Sequence, residues 1–153
     1  MHWLASAALR AGIPGAKSAN IPQEAPLAAA WEQLARELRL TEHALATRVA
    51  ATLRVPLADF DRAQAKAMRL VPEKLARKHG VYALWETDRE LAVASSDPNN
   101  YEAERDLGFA SGRRIVFELA PPSTITAQLN GGIQQVLHDP VRRIATVQLR
   151  RDR

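Results

Sequence analysis

The alternation of hydrophobic and polar residues becomes regular at Trp31 and predicts a pair of helices. Apolar positions three and four residues apart form one face of the first helix; they are Trp31, Leu34, Ala35 and Leu38. Thr41 has a side chain suited to cap the start of a second helix. That second helix carries the apolar stripe Leu45, Val49, Thr52 and Leu53. The short link between the two stripes predicts a tight helical corner.

Proline and glycine divide the next stretch into short pieces. Pro56 disfavours the α region for the residue before it, so residues 55–60 are predicted to be extended. Asp61 is the predicted cap of a short helix that runs through Met68. Residues 73–79 lie between a proline and a glycine. They are predicted to form another short helix, because proline suits a helix start and glycine a helix end.

Three segments rich in apolar and β-branched residues predict a small sheet. These segments are residues 81–87, 90–96 and 113–119. Only Asp88 and Arg89 separate the first two, which is the length of a hairpin loop. Asp-Arg is a poor pair for a tight hairpin turn, so the prediction depends on the flanking apolar runs.

Two helices are predicted around the third strand. The first runs from Tyr101 to Leu107, is capped by Asn99 or Asn100, and is ended by Gly108. The second follows a pair of prolines, and its predicted buried stripe is Ile125, Leu129, Ile133, Val136 and Leu137. The fold class is therefore α+β, with N-terminal helices followed by a small β-β-α-β-α sandwich of a sheet and helices.

The organisation of the chain is predicted in three parts. Residues 1–30 hold several prolines and glycines and one short helical stretch, Trp3 to Ala11, so we expect a flexible or loosely docked N-terminal segment. Residues 31–138 form the predicted domain. Residues 139–153 are arginine-rich and are predicted to be a basic linker or tail.

Composition places the chain among ordinary globular proteins. It has 153 residues, of which 46% are hydrophobic and 25% charged, with a net charge of +4. No apolar run approaches the roughly 18 residues of a membrane span, and the N-terminus lacks the basic start of a signal peptide. There are no cysteines. We expect a bacterial cytoplasmic protein without disulfides and without direct membrane insertion.

Three patterns that suggest chemistry have simpler interpretations. Residues 12–18, GIPGAKS, lack the glycine spacing of a phosphate-binding loop. The four histidines are isolated and show no metal-ligand spacing. Ser95 and Ser96 precede Asp97-Pro98, but no nucleophile motif surrounds them, and Asp97 is suited to an Asx turn that ends the strand. These patterns therefore give no candidate catalytic residue and no metal site.

Nucleic-acid binding is a weaker alternative. Arginine supplies 17 of the 21 cationic side chains, including Arg113, Arg114 and those of the C-terminal tail. Phosphate groups favour arginine. However, aromatic residues are few and are not interleaved with basic ones, so base stacking has little support. The helix after Thr41 also presents few side chains suited to reading DNA.

Several pieces in order resemble the N-terminal domain of type II secretion and type IV pilus assembly ATPases (general secretion pathway protein E type, or MshEN-like). The most specific are VPEKLAR at residues 71–77, and LAVA at 91–94 leading into Asp97-Pro98. The resemblance covers residues 34–137. In that family the Asp-Pro turn belongs to a structural crossover, and the catalytic apparatus lies in a separate, later domain.

The resemblance implies a non-catalytic docking or regulatory module. It would be part of a secretion ATPase, or a stand-alone or signalling-protein copy of such a part. The implied partner is the cytoplasmic part of an inner-membrane secretion protein, or another domain of the parent chain. No cofactor is expected, apart from the cyclic di-GMP that some members of the family bind. A cyclic di-GMP receptor is therefore the first alternative function.

The nucleotide-binding members carry tandem motifs that are degenerate in this chain. The helix-ending glycine of the motif corresponds to Arg39, its alanine-leucine pair to Arg48 and Val49, and its glutamine to Thr52. Only one such copy is visible. The arginines of this region define a candidate ligand or partner face, with an ordinary solvated surface as the simpler interpretation; they are Arg36, Arg39, Arg48 and Arg54.

Overall fold

A computed structural model describes residues 2–131, and these residues adopt the predicted α+β order. The helices are α1 Trp3–Arg10, α2 Leu27–Leu38, α3 Glu42–Leu53, α4 Ala65–Met68, α5 Glu73–His79, α6 Tyr101–Ser111 and α7, described over 122–131. The strands are β1 Val81–Glu86, β2 Glu90–Ser95 and β3 Arg114–Leu119. Single 3₁₀ turns lie at Ala16–Ser18 and Phe60–Arg62.

The three strands form one sheet in the order β1-β2-β3. β1 and β2 are antiparallel and form the predicted hairpin, with an irregularity between Ala83 and Trp85. The loop is held by Thr87, whose hydroxyl accepts hydrogen bonds from the amides of Arg89 and Glu90. β2 and β3 are parallel, with α6 as the crossover between them.

Residues 55–59 are extended, as predicted, whereas Phe60 begins the 3₁₀ turn, and the structure gives the extended segment a partner. Leu57 forms an isolated parallel bridge with Leu119, at the end of β3. The Leu119 amide donates to the Pro56 carbonyl at 2.8 Å, and the Ala58 amide donates to the Leu119 carbonyl at 2.9 Å. The segment therefore covers one end of the β3 edge.

The N-terminal residues differ from the expectation of a flexible or loosely docked segment. Leu4, Ala5, Ala7 and Ala8 of α1 are buried, and Ile13 and Ile21 join them in one core cluster with α2 and α3. Trp31 lies at 0% exposure in the same cluster. α1 packs by small alanine side chains, which add little hydrophobic area each and so give a weak signal in sequence.

Three predicted helix boundaries need correction. α2 begins at Leu27 rather than Trp31. Asp59, not Asp61, caps the turn that follows the extended segment, since its side chain accepts from the amide of Asp61. That turn and α4 are separate elements rather than one helix.

The helix α6 is longer than predicted because Gly108 does not end it. The helix continues to Ser111 and ends at Gly112, which adopts the left-handed conformation (φ 70°) and whose amide donates to the Gly108 carbonyl. Asn100 caps its start, as predicted, by accepting from the Ala103 amide. A glycine within a helix is tolerated at a cost of about 1 kcal/mol, so its presence alone is a weak stop signal.

The last predicted helix is described only in part. Residues 122–131 are helical, and Ile125 and Leu129 of the predicted stripe are buried against the sheet. The other stripe positions, Ile133, Val136 and Leu137, and the predicted tail 139–153 lie outside the described residues. The division of the chain at residue 138 stays a prediction.

Candidate functional site

The four candidate arginines all lie on the surface of the helical layer formed by α1, α2 and α3. Arg36 is in the last turn of α2, and Arg39 is the residue that ends this helix. Arg48 lies within α3, and Arg54 ends α3. All four are exposed.

Arg39 and Arg54 share an unusual backbone conformation. Both have φ 58° and lie in the left-handed region, which favours glycine. In both cases the next residue closes the helix, because the Leu40 amide donates to Ala35 and the Val55 amide donates to Ala50, each at 3.0 Å. The two helices therefore end in the same way, with arginine where glycine would be less strained.

The structure does not gather the four arginines into one compact site. Arg39 precedes α3 and Arg54 follows it, and a helix of 12 residues is about 18 Å long. The Arg48 side chain turns toward the end of α1, where its Nη2 donates to the Ala11 carbonyl at 3.3 Å. Only Arg36 and Arg39 lie within one turn of each other. The face is thus a basic strip along the helical layer.

The turn after β2 is structural, as predicted for Asp97. The Asn99 amide donates to Asp97 Oδ1 at 2.9 Å, which is the hydrogen bond of an Asx turn. The Ser96 hydroxyl donates to the Ala120 carbonyl at 2.7 Å, and the Ser95 hydroxyl donates to the Asp97 carbonyl. Both hydroxyls are therefore engaged in backbone contacts.

Ser96 also joins the sheet to the helical layer. The Trp31 indole Nε1 donates to the Ser96 carbonyl at 3.2 Å. Trp31 belongs to the core cluster of α1–α3, while the neighbouring β2 residues belong to the cluster under the sheet. This buried hydrogen bond links the helical layer to the sheet.

An ionic cluster connects α5 to α6. His79 Nε2 and Asp106 Oδ2 are 3.0 Å apart, and Lys78 Nζ lies 3.8 Å from the same carboxylate oxygen. The hydrogen bond with His79 holds the pKa of Asp106 below its usual value against the opposing effect of burial, and the charges of Arg105 and Lys78 add to it. The cluster attaches one helix to another and leaves no open reactive group.

The arginines at the start of β3 are paired with acidic residues. Arg113 Nη2 lies 3.0 Å from Glu86 Oε1, and its Nε donates to the Thr87 carbonyl at 2.7 Å. Arg114 pairs with Glu90 on the adjacent strand. Because these glutamates partly neutralise their charge, Arg113 and Arg114 are less suited to bind phosphate groups.

One surface was missed by sequence reasoning. Tyr101 and Phe109 on α6 are 72% and 93% exposed, and they border a shallow groove of about 610 Å³ between α6 and the start of β3. The helical spacing of 101, 105 and 109, opposite the buried Ala103 and Leu107, was the available signal. It was lost when the helix was predicted to end at Gly108.

Other classes of site find no support in the part of the chain that the structure covers. Within residues 2–131, no group of three or more histidine, cysteine, aspartate or glutamate side chains is placed to hold a metal ion. Over the same residues, none of the helices has the length and apolar character needed to cross a membrane.

Comparisons with known proteins give a family match for the part of the chain that contains the sheet and structural matches for the fold. The family model described as the MshEN domain matches residues 53–131. A solved structure described as MshE with cdg has a TM-score of 0.57 and 20% identity, covering 84% of this chain and 96% of that chain. The N-terminal domain of XpsE has a TM-score of 0.56 and 17% identity, covering 83% and 91%. No curated protein matches the chain.

Proposed function

Because the chain belongs to the MshEN domain family, we propose that it is a non-catalytic docking and regulatory module of a type II secretion or type IV pilus type ATPase, or a stand-alone or signalling-protein copy of one. The observation that carries the proposal is the match over residues 53–131, which include the sheet, α6 and the described part of α7. Domains of this kind are separate from the catalytic domain of the secretion ATPases.

The basic strip is the surface proposed for the partner. Arg36 and Arg39 project from the α2–α3 corner, and Arg54 lies at the far end of α3. A surface with this charge favours an acidic partner face, and such complementarity mainly speeds and orients association. The partner in this proposal is the cytoplasmic part of an inner-membrane secretion protein or another domain of the parent chain, which places the module in the cytoplasm.

Charge reversal tests the docking proposal. The cytoplasmic parts of the host's inner-membrane secretion proteins are titrated one by one against the immobilised chain. The expected result is saturable binding to one of them, at least tenfold weaker for the double variant R36E/R39E. The matched control is R69E/R89E, which changes the charge equally at exposed arginines outside the helical layer. Equal affinities for the two double variants would remove the strip from the proposal.

A cyclic di-GMP receptor is the second candidate function, supported by the fold likeness to a protein solved with that nucleotide. Guanidinium groups bind phosphates bidentately. Arg39 after α2 and Arg48 in α3 offer such groups, although they stand where the motif of the nucleotide-binding members has glycine and alanine. The test is calorimetric titration of cyclic di-GMP at low and moderate salt, with Arg48→Ala as the variant and Arg69→Ala as its control. Saturable micromolar binding at both salts, lost only in Arg48→Ala, supports the receptor; no heat at either salt removes it.

Nucleic-acid binding is the third candidate, and the pairing of Arg113 and Arg114 with glutamates counts against it. Phosphate contacts make the logarithm of the affinity fall steeply with the logarithm of the salt concentration. A binding curve for duplex DNA measured at two salt concentrations separates this candidate from docking, which requires no DNA affinity.

A further inference from the structure

The outer edge of β3 is open along part of its length. In a parallel pair, alternate residues of a strand direct both backbone groups to the neighbour, and the residues between direct theirs away. Leu119 bonds outward to residues 56 and 58, whereas the amides of Arg114 and Ala120 donate to the β2 side. Ile115 and Phe117 therefore also direct their backbone groups outward. No partner covers them among residues 2–131.

The open edge lies beside an exposed aromatic face. Tyr101 and Phe109 are on the surface of α6 that borders the groove, and the groove is also lined by Gly108 and Ile115. A Cβ built on Gly108 would be 3.9 Å from Ile115 Cγ1, so α6 passes close to β3. Unpaired strand edges are templates for pairing with another chain unless they are shortened, charged or covered, and exposed apolar patches beside them mark interaction sites.

The segment 114–118, RIVFE, is complementary to itself when two copies run antiparallel with Val116 at the centre. Ile115 then faces Phe117 of the second copy at two hydrogen-bonded positions, where both residues have outward backbone groups. Val116 faces its own copy at a non-hydrogen-bonded position. Arg114 lies opposite Glu118 of the second copy, but Glu118 is buried and accepts from Trp85 Nε1, and Arg114 pairs with Glu90 of its own chain, so the match lies in the backbone groups and the apolar side chains.

We propose that the chain forms a two-fold symmetric dimer in which the β3 strands of two copies pair antiparallel over residues 114–118 and continue the sheet. The occupant of the open edge is therefore a second copy of this chain. The proposal concerns a different surface from the arginine strip and does not depend on the docking role. The extended segment 56–58 stops the pairing at Leu119, because it already occupies that end of the edge.

The same symmetry brings the aromatic faces together. A two-fold axis through the Val116 pair, perpendicular to the sheet, places α6 antiparallel to its copy on the same face of the sheet. Tyr101 and Phe109 are equally far in sequence from Arg105, so Tyr101 of one copy is directed toward Phe109 of the other. Neighbouring strands are about 4.8 Å apart. With α6 above the space between β2 and β3, its axis is then about 10 Å from the axis of α6 in the second copy, which is close to a normal helix-packing distance.

A single cysteine tests the strand register, because the chain has no native cysteine. Two residues facing each other at a non-hydrogen-bonded antiparallel position have Cα atoms about 4.5 Å apart, which allows a disulfide. Val116→Cys is therefore expected to form a covalent dimer rapidly on mild oxidation. Ala51→Cys, at an exposed position on α3, is the control and should cross-link at least tenfold more slowly.

Sedimentation equilibrium of the full chain tests the dimer itself. The expected result is a reversible dimer that is at least tenfold weaker in Phe109→Ser and in Tyr101→Ser, both at exposed positions whose replacement leaves the core intact. Circular dichroism confirms that each variant is folded. A monomer at all concentrations up to about 0.5 mM, or equal cross-linking rates for the two cysteine variants, would overturn the proposal.

Discussion

At the scale of single residues, the backbone at the ends of α2 and α3 is the clearest departure from the preferred chemistry. Arg39 and Arg54 hold a left-handed conformation that costs side chains with a Cβ and costs glycine little. The helix ends themselves are regular, since the closing hydrogen bonds form in both. Both positions therefore combine a strained backbone with an exposed positive charge of the strip named in the docking proposal.

Replacing either residue with glycine should stabilise the fold. We expect Arg39→Gly and Arg54→Gly each to raise the free energy of unfolding by about 0.5–1 kcal/mol, because the left-handed conformation is no longer strained. Urea denaturation measures the change. Arg36→Gly is the control inside α2, where glycine should instead cost about 1 kcal/mol. A loss of stability in both cap variants would contradict this explanation.

At the scale of elements, the sequence predicted the helix caps and turns that depend on contacts between residues close in sequence. Thr41 caps α3, Gly80 ends α5, and Asp97 forms its turn, because each acts through backbone groups within three or four residues. The hairpin and the third strand were also located correctly. The extent of α6 was not, because a glycine in a helix and a glycine that ends one look alike in sequence.

The two glycines of α6 should respond to alanine in opposite ways. Gly108 lies inside the helix, and an added Cβ would meet its nearest neighbour, the Arg113 carbonyl oxygen, at 3.4 Å, so Gly108→Ala should gain about 0.5–1 kcal/mol in unfolding free energy. Gly112 ends the helix at φ 70°, and Gly112→Ala should lose about 1 kcal/mol. Thermal unfolding of both variants decides the matter, and changes of the same sign would show that the helix ends elsewhere.

The contact between α5 and α6 should make stability depend on acid. The pKa of Asp106 is lower in the folded protein than its ordinary value, mainly through the hydrogen bond with His79. Its contribution is therefore present above the unfolded pKa of about 3.9 and is lost as the pH falls through the folded pKa. The difference in unfolding free energy between the native chain and Asp106→Asn should shrink across that range. A difference that is constant from pH 6 to pH 3 would contradict this role.

At the scale of the whole molecule, two core clusters meet through few polar contacts. One lies among α1–α3 and the other beneath the sheet, and the hydrogen bond from Trp31 to Ser96 connects them. Sequence periodicity identified each half, but it left the packing of residues 2–21 and the Trp31 contact unseen, because both depend on residues distant in sequence. The spread of the four arginines over the α2–α3 corner and the length of α3 follows instead from the bounds of these two helices.

Replacing the buried Trp31 should lower the free energy of unfolding more than replacing the half-buried Trp3. Trp31→Phe leaves the Ser96 carbonyl without this donor and leaves a space in the core, so we expect a loss of about 2–3 kcal/mol in unfolding free energy. Trp3→Phe, at a half-buried position in α1, should cost less than about 1 kcal/mol. Equal losses for the two variants would show that Trp31 has no special role in joining the clusters.

The most direct test of the docking role is hydrogen–deuterium exchange of the chain with and without a saturating amount of the proposed partner, the cytoplasmic part of an inner-membrane secretion protein. The account predicts slower exchange at the α2–α3 corner around Arg39 and at the end of α3 around Arg54, with the core amides unchanged. Unaltered exchange at both places, with any protection confined to other surfaces or absent altogether, would contradict the assignment of the arginine strip as the docking surface.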